Sequence, residues 1–167
     1  RSACHYGKRS GHRWLKHLKK MVLLGTPHHG APLEKGGNWI ETLLNISPYS
    51  APFSRLGKIR SSGITDLRYG NVIGDDWKGR NRFKVSEDLR TPVPLPEGVS
   101  CYAIAGTKGK KAGKLGDDLI GDGLVPVKSA LGRHRNPQFQ LLFPKANQWV
   151  GLETNHMGLL NHVAVYE

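Results

Sequence analysis

The chain has 167 residues, of which 38% are hydrophobic, and its 21 glycines and 10 prolines predict many turns rather than long helices. This length is typical of one globular domain with a buried core, and no run of about 18 apolar residues that could form a membrane-spanning helix occurs in it. The formal net charge of +12 would suit an anionic partner. Specific nucleic-acid recognition is not expected, because no helix-turn-helix, zinc-finger or single-strand-binding signature occurs.

Short apolar runs along the chain predict the strands of a parallel sheet, because strands buried on both faces are continuously hydrophobic. Residues 1–8 are typical of the end of a helix. The first predicted strand is 21–24 and the second is 99–105, and a glycine follows each of them. The third is 148–153, with 138–143 as a weaker competitor. The last residues, up to Glu167, look like the start of a final helix, so the element order indicates an α/β fold.

A long insert, residues 33–96, separates the first two predicted strands. It contains an amphipathic stretch at 38–46, ended by a Ser-Pro pair, and a second short helical candidate at 54–59. Inserts of this length are usually functional or independently structured. The sequence leaves two interpretations open, a packed helical excursion or a lid over an acyl-binding cleft. In the second case the substrate-binding residues would be Trp39, Leu43 and Leu44.

The most informative segment is Gly-Asp-Gly-Leu-Val-Pro-Val at 121–127, together with Asn-His-Met-Gly-Leu-Leu at 155–160. Ligand sites of parallel sheets lie at the carboxyl ends of strands, and Asp122 and His156 both fall shortly after predicted strands. A carboxylate can hold a histidine in the tautomer that takes a proton from a nucleophile. We therefore expect Asp122 to act as the orienting acid and His156 as the general base.

Other interpretations of these residues remain open. Asp-Gly is a common turn pair, so Asp122 would also suit a turn-capping role. Asp117 and Asp118 compete for the role of the acid but lack the Gly-x-Val-Pro context. Gly-x-Ser-x-Gly, which carries the nucleophile in serine hydrolases, does not occur in the sequence. Only the acid and the base of a triad are therefore expected within these 167 residues.

Three motifs in order resemble those of lipase-like α/β-hydrolases, with bacterial triacylglycerol lipases and GPI-inositol deacylases nearest in pattern. Leu-Leu-Gly-Thr-Pro-His-His-Gly-Ala-Pro at 23–32 looks like the strand and loop after the nucleophile helix. Gly-Asp-Gly-x-Val-Pro-Val looks like the acid loop, and Asn-His-x-x-Leu-Leu looks like the histidine loop. The resemblance implies that residues 1–167 form the C-terminal part of an α/β-hydrolase fold. Such a fold has a mostly parallel sheet flanked by helices, here with a helical, lid-like insert.

The same resemblance implies where the nucleophile lies. The family has Gly-x-Ser-x-Gly-Gly-Leu-Val-x-Arg before the first of these strands, and Arg1 would match its final arginine. The serine is then expected roughly seven residues before residue 1. The longer parent protein is expected to hydrolyse lipophilic esters without a cofactor. Residues 1–167 alone are expected to be inactive, because the serine and both oxyanion-hole donors would be missing.

The remaining histidines and cysteines give weaker signals. His28 and His29 could bind a metal, but no supporting ligand cluster accompanies them, so we expect them in the wall of the active-site cleft as substrate-binding residues. His134 and His162 are expected at the surface. Some secreted lipases bind calcium through an aspartate after the catalytic histidine, but residues 157–161 contain no carboxylate. No metal site is predicted, and the two isolated cysteines are expected to be free buried thiols.

The basic residues are spread along the chain, with the densest groups at 8–20 and 108–114. A solvated surface loop is the simplest interpretation of the second group, and an anionic membrane surface or polyanion is kept as an alternative partner. A hydrolase-fold protein that binds without catalysing is a further alternative. The sequence does not distinguish lipase, short-chain esterase and lipid-anchor deacylase. It also leaves the oligomeric state open, as well as the choice between a cytoplasmic and a membrane-peripheral location.

Overall fold

A computed structural model of the chain describes residues 1–30, 66–67, 69–79, 90–110 and 121–167. The first element is helix α1, Ser2–Arg9, which carries Lys8 and Arg9 in its last turn, where positive charge is favourable at the carboxyl end of a helix. A 3-10 helix follows at Arg13–His17. It packs back onto α1 at Gly7, which is buried beside Leu15. The predicted helix at 1–8 is therefore confirmed.

Three parallel strands form the sheet, in the order β1-β2-β3. They are β1 (Lys20–Leu24), β2 (Ser100–Gly106) and β3 (Gln148–Gly151). Leu23 of β1 lies opposite Ala103, and Ile104 of β2 lies opposite Trp149. All three predicted strands are confirmed, and their parallel pairing brings their carboxyl ends to one edge of the sheet.

The competing strand prediction at 138–143 is wrong. This segment begins within a 3-10 helix, Pro137–Phe139, and continues without strand pairing. The side chain of Asn136 caps that helix by accepting a hydrogen bond from the backbone N–H of Gln138. Proline at the first helical position has no N–H to lose, so local capping decides the conformation here.

The core packs against β2, where Ala103 and Ala105 are completely buried. A short helix, α2 (Val127–Ala130), supplies part of the opposing surface. Small side chains on β2 let this helix approach the sheet closely, and Leu131, Leu141 and Phe143 fill the remaining space. Both cysteines are free thiols; Cys101 is buried in this core, whereas Cys4 is half-buried.

Three further sequence-based predictions need correction or fall outside the described residues. The chain ends in two 3-10 helices, Gly158–Asn161 and Val163–Val165, rather than the expected start of an α-helix; β-branched valines restrict α-helix formation. The predicted helices at 38–46 and 54–59, including Trp39, Leu43 and Leu44, lie outside the described residues. Within the described part of the insert, a 3-10 helix occurs at Gly74–Trp77.

The described residues form a small three-stranded parallel sheet with few helices. This arrangement is compatible with an α/β fold. No helix in the described ranges has the length and apolar character needed to cross a bilayer.

Candidate functional site

The turn at residues 121–125 holds Asp122 through its own backbone. Asp122 Oδ1 accepts hydrogen bonds from the N–H groups of Leu124 at 3.0 Å and Val125 at 2.8 Å. Gly121 has φ +49°, and a methyl group there would lie 1.9 Å from the carbonyl oxygen of Val125. Only glycine therefore permits this turn. The turn-capping role considered for Asp122 is real, and it occupies only one of the two carboxylate oxygens.

The loop after β3 brings His156 to the same place. The N–H of Thr107, just after β2, donates to the carbonyl of Gly151 at 2.8 Å, and the N–H of Thr154 donates back to the carbonyl of Thr107 at 2.9 Å. These two bonds continue the pairing of β2 and β3 beyond the strand ends. The backbone N–H of His156 then donates to the carbonyl of Asp122 at 3.1 Å. Main-chain hydrogen bonds therefore link these segments in addition to the contact between the two side chains.

The side chains of Asp122 and His156 form a direct pair. Asp122 Oδ2 lies 2.7 Å from Nδ1 of His156. The Asp122 side chain is completely buried, whereas that of His156 is 29% exposed. Among the described residues, no serine hydroxyl is hydrogen-bonded to this ring. Because Nδ1 is engaged by the carboxylate, Nε2 is the ring nitrogen left to exchange a proton with a third group.

The pair also shifts the protonation of His156. The hydrogen bond to Asp122 raises the pKa of His156 above its ordinary value, while partial burial of the ring opposes the shift and the negative charge of Asp122 adds to it. A carboxylate that stabilises an imidazolium in this way makes the neutral histidine a stronger base. The arrangement is therefore a carboxylate–histidine pair whose carboxylate is buried and whose histidine is partly exposed.

Gly25, the residue directly after β1, lies against this pair. A methyl group at Gly25 would be 2.8 Å from Cε1 and 3.0 Å from Nδ1 of His156, and 3.4 Å from Oδ2 of Asp122. The backbone of Gly25 also has φ +55°, a conformation that side-chain-bearing residues rarely adopt. No local sequence pattern indicates this approach of Gly25 to His156, because it joins segments that are distant along the chain.

His28 and His29 lie in the loop after β1, but their contacts are with other groups. His28 is 4% exposed and lies 3.3 Å from Arg1 Nη1 through its Nδ1 atom. Burial, helped by the charge of Arg1, lowers the pKa of His28 to about 3, and burial likewise lowers the pKa of His29 to about 4. Both rings are therefore neutral near pH 7, and no described contact joins either ring to Asp122 or His156.

His134 and His162 are both half-buried rather than fully exposed. The ring of His134 lies 4.8 Å from that of His29, and the ring of His162 lies 5.0 Å from that of Trp149. Across the described segments, no group of three or more His, Cys, Asp or Glu residues is arranged to hold a metal ion.

Comparisons with protein-family models, with curated proteins and with solved structures found no match to this chain.

Proposed function

We propose that Asp122 and His156 are the acid and the base of a serine ester hydrolase of the lipase or esterase type. The observation that carries the proposal is the 2.7 Å contact between Asp122 Oδ2 and His156 Nδ1. It joins a completely buried carboxylate to a ring that keeps 29% of its surface open. A buried acid orients the ring, and an accessible Nε2 can take the proton of a hydroxyl nucleophile.

In this proposal the serine belongs to a segment that precedes residue 1 and adds a strand to β1. Within the described residues, β1 is paired along one edge only, with β2. Its central residue Val22 is 58% exposed, which is unusual for a hydrophobic residue in a parallel strand. A further strand on this edge would end near Gly25 and therefore near His156. That is where a strand-to-helix turn would have to present its serine.

The substrate class proposed is a lipophilic ester, and the insert at 33–96 is proposed to act as a lid that contacts the acyl group. The support for this part is the sequence pattern alone, because Trp39, Leu43 and Leu44 lie outside the described residues. No cofactor enters the proposed reaction, since a serine, a histidine and an aspartate suffice for ester hydrolysis.

Hydrolysis of p-nitrophenyl butyrate tests the proposal in two proteins, residues 1–167 and a longer chain that includes the upstream segment. The longer chain should hydrolyse the ester, and His156→Gln should lower kcat by about 10⁴ or more. His12→Gln, which changes an exposed histidine, is the control and should leave kcat unchanged. Residues 1–167 alone should show no hydrolysis that depends on His156. Turnover by the longer chain that survives His156→Gln would refute the role given to this pair.

A further inference from the structure

A surface of basic residues lies where the chain enters β1. It comprises the last turn of α1, the 3-10 helix Arg13–His17 and the residues up to the first of β1. The N–H of His12 donates to the carbonyl of Gly7 at 2.8 Å, which ties this helix back to α1. The segment 8–20 contains no Asp or Glu. All of its lysines and arginines are exposed, and we call them the basic surface: Lys8, Arg9, Arg13, Lys16, Lys19 and Lys20.

Two cations of the basic surface form weak ion pairs. Lys8 Nζ lies 3.2 Å from a carboxylate oxygen of Glu97. Arg9 Nη1 lies 3.6 Å from a carboxylate oxygen of Asp75. The side chains of both pairs are more than half exposed, and exposed ion pairs contribute little stability. Both cations can therefore exchange their carboxylate for another anion at the surface, and the other four cations keep their charge at the same face.

Trp14 adds an aromatic ring to this face. It is 43% exposed, although one edge of its ring rests on α1, where a methyl group at Gly7 would lie 3.1 Å from Cζ2. The ring is thus held at one edge and open to solvent elsewhere. Tryptophan is enriched at the boundary between water and lipid, because its ring is apolar and its N–H is polar. An exposed tryptophan among lysines and arginines suits the headgroup region of a bilayer that carries negative charge.

We propose that the basic surface docks this protein on a bilayer that contains anionic phospholipids, with Trp14 entering the headgroup region. Clusters of about four to eight lysines and arginines on an amphipathic segment are typical of such binding. A single-stranded nucleic acid would also attract the cations, but its successive bases stack on several aromatic side chains. Trp14 is the only Trp, Tyr or Phe between positions 8 and 20, so the bilayer is the better match.

The proposed orientation places the bilayer at the end of β1 opposite to the Asp122–His156 pair. The strand has five residues, Lys20–Leu24, and therefore spans roughly 16 Å. The basic surface lies at its beginning, whereas Gly25, directly after its end, lies against His156. Docking therefore leaves the pair uncovered, and it stands or falls independently of the proposed hydrolase activity.

Cosedimentation with lipid vesicles tests the docking in the full chain. The chain should bind equimolar phosphatidylserine–phosphatidylcholine vesicles and should not bind vesicles of phosphatidylcholine alone. The double variant Arg13→Gln, Lys16→Gln should weaken binding by about 25-fold, since each cation near an anionic bilayer contributes about fivefold.

The matched control is Arg133→Gln, Arg135→Gln, which also removes two exposed positive charges. These residues flank His134, whose ring lies beside that of His29 in the loop after β1. At about 0.1 M salt, charges more than about 10 Å from the bilayer are screened, so this variant should bind as the unaltered chain does. Equal weakening by the two double variants would overturn the proposal, because it would mean non-specific attraction by the net charge.

Tryptophan fluorescence gives a second readout, which in the unaltered chain does not depend on any variant folding. Anionic vesicles with brominated acyl chains should quench the emission of the unaltered chain, and Trp14→Phe should remove this quenching. Absence of quenching in the unaltered chain, or equal quenching in Trp14→Phe, would overturn the placement of Trp14 in the bilayer. Binding to a short DNA without binding to the anionic vesicles would also overturn the proposal and would identify a nucleic acid as the partner.

Discussion

The substitution Gly25→Ala isolates the contact between β1 and the Asp122–His156 pair. Its methyl group would lie 2.8 Å from His156 Cε1, whereas ordinary contacts begin at 3.4 Å, so the ring must move by about 0.6 Å, the difference between these distances. Asp122 cannot follow, because Leu124 and Val125 hold its other carboxylate oxygen. The Nδ1–Oδ2 hydrogen bond is therefore expected to lengthen. Alanine at φ +55° adds a backbone cost of about 1–2 kcal/mol.

Gly11→Ala is the matched control. Gly11 has φ +66°, and a methyl group there meets nothing within 4 Å. It should therefore cost a similar 1–2 kcal/mol in the free energy of unfolding without disturbing the pair. Urea unfolding of Gly11→Ala measures the backbone cost alone. The additional loss of unfolding free energy in Gly25→Ala measures the steric clash with His156.

Histidine NMR then gives the decisive comparison. Gly25→Ala should lower the pKa of His156 toward its ordinary value, because the hydrogen bond that raises it is weakened. A displacement approaching 1 Å can also lower the turnover of a serine-containing parent by up to about 10²-fold. An unchanged pKa of His156 in folded Gly25→Ala would refute the inference that Gly25 positions this ring.

Three further predictions concern the Asp122–His156 pair and the attachment of the loop after β1. Asp122→Asn keeps an acceptor for the backbone hydrogen bonds but removes the charge. The pKa of His156 should therefore fall in an NMR titration, and kcat of the parent should drop by about 10⁴. An unchanged pKa of His156 would contradict the pairing. Because the pKa of His156 is raised in the folded chain, the pair should stabilise the fold below about pH 6.5, the ordinary histidine value, and lose that contribution as pH rises through the folded pKa. Urea unfolding between about pH 5 and about pH 9 should show this slope in the unaltered chain and not in His156→Gln. Ser129 is buried, accepts from the N–H of His29 at 3.1 Å and donates to the carbonyl of Gly30 at 2.9 Å, so Ser129→Ala should reduce the free energy of unfolding by about 1–3 kcal/mol. A urea midpoint equal to that of the unaltered chain would contradict the importance of this link.

The strands were predictable from the sequence because their signal is local. Predicted strands at 21–24 and 99–105 correspond to Lys20–Leu24 and Ser100–Gly106, since a short apolar run ended by glycine favours a strand of a parallel sheet. The third, at 148–153, ends earlier, at Gly151, where the backbone pairs instead with residues beyond β2.

The Asp122–His156 contact was also predictable, because both residues follow strands whose carboxyl ends share one edge of the sheet. The contact of Gly25 with His156 and the contact of Arg1 with His28 were not predictable. These contacts join chain segments that no local pattern relates, and they depend on how separate loops pack. The wrong strand prediction at 138–143 has a local cause instead, because capping by Asn136 outweighed the apolar composition.

The central claim is that Asp122 and His156 activate a serine that lies before residue 1. A fluorophosphonate probe, which reacts covalently with activated serines, tests it most directly when applied to the longer chain and followed by peptide mass spectrometry. The account predicts one labelled serine upstream of Arg1, with labelling abolished by His156→Gln and by Asp122→Asn but retained in His12→Gln. Labelling of a serine within residues 1–167, or labelling that persists without His156, would contradict it.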